Sequence, residues 1–221
     1  MVILFILIYL DNYSDYIYMP FFTGEKLEDY SIMTSILDYI DFYSGTERRQ
    51  MMTKNGRKHP RDGGSMLYGY TWKGYLSPTK ERTKHSDGVY LTKIKDEEPF
   101  LEEVFVEYSK LYFPDFEWGQ VQMNKNYECV PHRDSANIGE SVLCCFGDFT
   151  GGNTCIDRDK KIIKHDATET PLRFNGSEHL HWTESFKGTR YSLVFFHNKS
   201  SRMAQKNELK KKIDLNKSAT L

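Results

Sequence analysis

Along residues 25–43 the apolar side chains Leu27, Ile32, Ile36, Leu37 and Ile40 recur near the helical period, and Thr23 just ahead of them is a candidate cap. A second helical run occupies 97–112, where Phe100, Leu101, Val104, Phe105, Tyr108 and Leu111 share a face and Pro114 stops the helix. Between the two, residues 67–75 carry Tyr68, Tyr70, Trp72 and Tyr75 around a glycine, a strand-and-turn pattern suited to core packing or, alternatively, to stacking on a base. From Trp118 the period changes. Trp118-Gly119-Gln120-Val121-Gln122-Met123-Asn124 alternates polar with apolar residues, the mark of a strand with two unlike faces. Ser141-Val142-Leu143-Cys144-Cys145-Phe146 is an apolar run fit for an internal strand, 160–164 and 172–174 are further strands, and Gly151-Gly152 and Asn175-Gly176 mark turns. The pattern predicts an α+β chain with a jelly-roll (double-stranded β-helix) core buttressed by N-terminal helices. It divides one domain, 1–221, into a helical and mixed support to about residue 115, a core over about 116–198 and a basic tail over 199–221.

Composition changes this picture little. At 221 residues the chain is long enough to bury a substantial core, and an aromatic fraction of 14% suits a β-rich one. The net charge of −1 gives no global attraction to nucleic acid, which leaves local patches. Arg48, Arg49, Lys54, Arg57, Lys58 and Arg61 form one such patch in a loop, either solvated or in contact with phosphates. Lys80 to Ser86 reads as a charged loop. Cys129, Cys144, Cys145 and Cys155 lack zinc spacing, and the adjacent pair must point to opposite faces of a strand. They read as reduced, mostly buried thiols of an intracellular protein, cytoplasmic or nuclear and not secreted. The apolar stretch 1–10 is too short to span a bilayer and lacks a basic start, so a buried N-terminal strand is expected there and no stable membrane association.

The candidate chemistry lies in the last third. In His132-Arg133-Asp134 an extended backbone aims an imidazole and a carboxylate at one point while Arg133 points away. A third ligand could be His179 or His181, which would share a strand face. Two imidazoles and one carboxylate hold one face of an Fe(II) ion and leave the remaining positions open. Farther on, Arg190 and Ser192 share one face of a strand, and Tyr191, Leu193 and Phe195 share the other. A turn at Lys187-Gly188 would join this strand to the histidine strand as a hairpin, which favours His181, nearer the turn, as the ligand. A guanidinium at Arg190 is permanently charged and forked, suited to a carboxylate, and Ser192 can donate to the same group.

Several stretches together resemble a known superfamily: Val121-Gln122-Met123-Asn124-Lys125-Asn126-Tyr127, Pro131-His132-Arg133-Asp134-Ser135-Ala136-Asn137-Ile138-Gly139-Glu140-Ser141, Gly147-Asp148-Phe149-Thr150-Gly151-Gly152, Phe174-Asn175-Gly176, and His181-Trp182-Thr183-Glu184-Ser185-Phe186-Lys187-Gly188-Thr189-Arg190-Tyr191-Ser192-Leu193-Val194-Phe195-Phe196. The chain resembles the Fe(II)- and 2-oxoglutarate-dependent dioxygenases, in particular the small single-domain members of the TET/JBP branch, which oxidise 5-methylpyrimidines in DNA. The resemblance covers about residues 100–197, with a looser match upstream from Arg57 to Tyr75. It implies iron on His132, Asp134 and His181, with 2-oxoglutarate and O2 completing the site. It also implies 2-oxoglutarate on Arg190 and Ser192, with Asn124 and Asn137 as further candidates for cosubstrate or substrate. The implied reaction hydroxylates a C–H bond, with the methyl group of 5-methylcytosine or thymine in DNA as first substrate. A protein side chain or a small molecule is the alternative, and a non-catalytic jelly-roll binding module is the rival from another class.

Overall fold

The computed structural model describes residues 21–44, 62–72, 84–86 and 89–207. The expected strand over 1–10, the basic loop from Arg48 to Arg61, Tyr75 and the tail beyond 207 lie outside the described residues. Its frame is a five-stranded antiparallel sheet in the order β1 (Gly64–Tyr68), β5 (Gln120–Lys125), β13 (Tyr191–Phe196), β6 (Ser141–Phe146), β10 (Leu172–Phe174). A second sheet orders β11 (Leu180–Thr183), β8 (Thr154–Arg158) and β9 (Lys161–His165), and an antiparallel bridge between His132 and His181 extends it by one position. β7 (Phe149–Gly151) pairs with β12 (Phe186–Gly188), and β2 (Tyr70–Trp72), β4 (Val89–Leu91) and β3 (Lys84–Ser86) form a small separate sheet.

From β5 onward the chain alternates between the two larger sheets. It visits the large sheet at β5, β6, β10 and β13, and the smaller one at His132, β8–β9 and β11. The sheets face each other, because Ile156 of β8 packs with Leu143, Cys145, Leu172 and Phe174 of the large sheet. This alternation is the double-stranded β-helix that the strand pattern predicts.

The outer face of the large sheet carries the helices. α1 (Lys26–Tyr39) contributes Met33, Ile36 and Leu37, and α3 (Leu101–Tyr112) contributes Leu101, Val104, Phe105 and Tyr108. They cover Met66, Tyr68, Val121, Met123, Cys144, Tyr191, Leu193 and Phe195. The Phe105 ring meets Tyr68, Phe195 and Trp118 edge-on, so Tyr68 is a core residue rather than a stacking platform. Between the two helices, 93–97 forms a separate short helix, α2 (Lys93–Glu97), and α4 spans 199–207.

The structure corrects the helical faces at their ends. Leu27 is 85% exposed and Leu111 46%, because each falls on the solvent side once the register is fixed by the residues that pack. α1 starts without a side-chain cap from Thr23. Instead the fully buried carboxylate of Asp29 accepts from the backbone N–H groups of Thr23 and Gly24 and from the Tyr112 hydroxyl, tying the two helices together. The expected loop 80–86 contains a strand at its end, since Lys84–Ser86 pairs with β4. The adjacent thiols divide as the pattern requires, with Cys144 in the helix-side core and Cys145 in the inter-sheet core. All four cysteines are free. Among the described residues no helix is long and apolar enough to cross a membrane.

Candidate metal centre and anion pocket

Strand parity decides what faces the interior between the sheets. With Val121 and Met123 given to the helices, Gln122 and Asn124 of β5 turn inward. Asn124 pairs with Ser192 of β13, and Ser192 pairs on its other side with Cys145 of β6. The polar half of the alternating segment thus lines the interior.

At one side of that interior His132, Asp134 and His181 bring their ligand atoms within 4.8 Å of one another. The Nε2 atoms of His132 and His181 stand 3.5 and 3.6 Å from the two oxygens of Asp134. Backbone geometry assembles the trio. His132 and His181 exchange both N–H···O bonds at 3.0 Å, and the N–H of Asp134 donates to the Gly176 carbonyl at 2.8 Å. The rings are also held in one tautomer. His132 Nδ1 lies 2.6 Å from the Val130 carbonyl and His181 Nδ1 3.0 Å from that of His179. A carbonyl only accepts, so each Nδ1 carries a proton and Nε2 is the nitrogen that faces the common point. Asp134 Oδ2 accepts from Asn137 Nδ2 at 3.3 Å.

His179 stays outside this cluster. It precedes β11, and its carbonyl rather than its ring serves His181. The hairpin expected between the histidine and arginine strands does not form, because β11 pairs with β8 whereas β13 pairs with β5 and β6. The extra strand β12 intervenes and lets the chain cross between sheets, so Arg190 faces the interior from the opposite sheet.

Arg190 is 2% exposed. Its Nη2 donates to Cys145 Sγ at 2.9 Å, and Phe149 and Phe186 flank the guanidinium at 5.5 and 5.6 Å. Burial pushes the Cys145 thiol up, so this contact brings Arg190 no counter-charge; Asp166, held low chiefly by its hydrogen bond from Thr168, also feels the guanidinium's charge but forms no ion pair with it. Among the described residues no carboxylate forms an ion pair with Arg190, and its buried Nε has no hydrogen-bond partner. The Gly151-Gly152 turn makes room for it: a Cβ on Gly152 would lie 3.0 Å from Arg190 Cδ and Nε. On the facing sheet the buried hydroxyl of Thr154 is likewise unpartnered.

Asn124 and Asn137 fall in different places. Asn124 is buried beside Ser192 and donates to its Oγ at 3.1 Å. Asn137 sits beside the metal cluster, on Asp134 and, at 3.4 Å, on Ser141 Oγ. The sequence pattern included Gly176 in the Phe174-Asn175-Gly176 stretch of the resemblance but assigned it no role in the site. A Cβ there would meet Asp134 Oδ2 at 3.1 Å and His181 Cε1 at 3.4 Å. Gly176→Ala is therefore expected to weaken Fe(II) binding about 10- to 100-fold, the range for lost ligand orientation, with little change in melting temperature. Metal titration of the folded variant checks this.

No family model matches the chain, and no curated protein matches it. Among solved structures it is similar to NgTET1 in complex with 5mC DNA, at 20% identity, with 76% of this chain and 74% of that chain covered and a TM-score of 0.40. A 2OG-Fe(II) oxygenase family oxidoreductase from Burkholderia pseudomallei is 16% identical over 78% of this chain and 94% of its own, with a TM-score of 0.38. A Pseudomonas putida prolyl-4-hydroxylase is 9% identical over 82% and 91%, with a TM-score of 0.39.

Proposed function

We propose that this chain is an Fe(II)- and 2-oxoglutarate-dependent dioxygenase that hydroxylates a C–H bond. The observation that carries the reading is a pair of opposed features in one interior. Two imidazoles and a carboxylate converge on one sheet, and a buried guanidinium that no carboxylate pairs with directly among the described residues faces them from the other. A buried unpaired charge is costly, and an anionic ligand relieves that cost. The donor set fits the iron: two neutral imidazoles and one carboxylate on one face suit Fe(II) with open positions. When bound, iron and 2-oxoglutarate supply the oxidising chemistry, in which O2 is consumed, 2-oxoglutarate becomes succinate and carbon dioxide, and a C–H bond becomes C–OH. The chain's residues bind, orient and exclude. His132, Asp134 and His181 hold the metal, and Asn137 fixes the Asp134 carboxylate. Arg190 and Ser192 hold the distal carboxylate of the cosubstrate, with the Thr154 hydroxyl a further available donor. Phe149, Phe186 and the inter-sheet core keep water from the guanidinium.

The side chains of His132 and Asp134 are 28% and 33% exposed against 8% for His181, so a substrate reaches the metal over the first two. The substrate we propose is the methyl group of a 5-methylpyrimidine in DNA, on the resemblance of the motifs around His132 and Arg190 to the TET/JBP branch. Such a base would have to leave the stack to reach the site. The test is succinate release from 2-oxoglutarate with Fe(II) under air, with and without duplex DNA carrying 5-methylcytosine. Release that rises with the DNA and vanishes in His132→Ala supports base oxidation. Release that depends on His132 but ignores the DNA moves the substrate to a protein side chain or a small molecule. No release under any condition leaves a binding module.

A further inference from the structure

A chain of hydrogen bonds enters the interior from the edge of the large sheet, and its proton directions can be fixed step by step. It starts at the Met66 carbonyl of β1, which can only accept. Gln122 Nε2 donates to it at 2.8 Å and to Ser65 Oγ at 3.1 Å, which sets the orientation of the Gln122 amide. Ser65 has one hydroxyl proton, and it goes to Asn124 Oδ1 at 2.7 Å. That contact sets the Asn124 amide, whose Nδ2 then faces Ser192 Oγ at 3.1 Å and donates to it. Ser192 is left as an acceptor toward Asn124, so its own proton is free. The residue is 4% exposed, and its hydroxyl lies on the interior face that it shares with Arg190.

We propose that Ser65, acting through Asn124, is a positioning residue that makes Ser192 an obligate hydrogen-bond donor to the cosubstrate. The relay deepens the dioxygenase reading and rests on it. Its consequence is selectivity at the distal end of the ligand. A fixed donor beside a fixed cation accepts an ionised carboxylate and rejects a group that must itself donate, such as an amide. All members of the relay are on β1, β5 and β13, whose registers place Ser65, Asn124 and Ser192 on one cross-strand row. Ser65 belongs to the segment ahead of α3. Its backbone N–H is held by Ser44 Oγ at 2.8 Å, which anchors the start of the row.

The test is a double-mutant cycle on binding of 2-oxoglutarate to the Mn(II)-loaded protein, measured by calorimetry. Ser192→Ala is expected to weaken binding about 10-fold or more, the loss for a hydrogen bond to a charged group. Ser65→Ala is expected to weaken it about 2- to 10-fold, as for a neutral bond, with Mn(II) affinity unchanged. The double variant should bind like Ser192→Ala alone, because Ser65 acts only through that hydroxyl. Gln122→Met, which removes the first donor and keeps the side-chain length, should repeat the pattern if Ser65→Ala fails to fold. Additive losses would overturn the relay and make Ser65 a packing residue. Absence of 2-oxoglutarate binding in the wild type would overturn the reading of the site itself.

Discussion

Replacing His181 by alanine is expected to abolish tight Fe(II) binding, and replacing His179, two residues earlier, to leave it intact. The two side chains differ in what the backbone does for them. His181 is on β11, exchanges main-chain hydrogen bonds with His132 and presents Nε2 to the Asp134 carboxylate at 3.6 Å. His179 contributes its carbonyl, which alanine retains, so the tautomer of His181 survives the change. His132→Ala and Asp134→Ala should behave as His181→Ala does, since two remaining ligands cannot define a face of the ion. Asn137→Ala should be milder, about 10- to 100-fold in metal affinity, because it removes only the bond that steadies one carboxylate oxygen. Titration with Fe(II) under anaerobic conditions, with circular dichroism as the folding control, separates these cases. Loss in His179→Ala with none in His181→Ala would reverse the ligand assignment.

Much of this site was legible because its signals are local. The two-residue spacing of His132 and Asp134 sets their directions within a single extended segment, and the alternation from Gln120 to Asn124 sets which side chains go to the helices. The hairpin expectation failed for a non-local reason. Short strands separated by turns do not say which sheet each one joins, and β12 carries the chain from one sheet to the other between His181 and Arg190. Arg190 reaches the interior across the sandwich rather than along a hairpin. Leu27 and Leu111 failed for a different reason: both sit at element ends, where period alone cannot tell a core position from a solvent position one step round the helix. Nothing in sequence spacing joins Ser65 to Asn124 either, since they are 59 residues apart and meet only through the pairing of β1 with β5. The alternation did contain half of that answer, because it turns Asn124, which is buried, to the interior, where its amide needs internal partners.

Arg190→Gln is expected to separate function from stability. In the wild type a permanent charge is held in an interior where its contacts are a neutral thiol and two aromatic faces, with Nε unbonded among the described residues and Asp166 acting on it only without an ion pair. Each desolvated aromatic contact returns about 2 kcal/mol, which offsets without exceeding the several kcal/mol that burying an ion lacking a direct pair costs. The variant without ligand should therefore melt at least as high as the wild type. Cosubstrate binding moves the opposite way. Losing two charge-assisted bonds of about 1.5–3 kcal/mol each weakens 2-oxoglutarate binding by about 10² or more. Saturating 2-oxoglutarate with Mn(II) should accordingly raise the melting temperature of the wild type and leave that of the variant unmoved by the diacid. Arg190→Lys should sit between them, because an ammonium keeps the charge but cannot present two parallel donors. A variant that melts well below the wild type and still responds to 2-oxoglutarate would make Arg190 a structural cation. The guanidinium would then owe its place to Cys145, Phe149 and Phe186 rather than to an anion, and the carboxylate-binding role would have to be sought elsewhere in the interior.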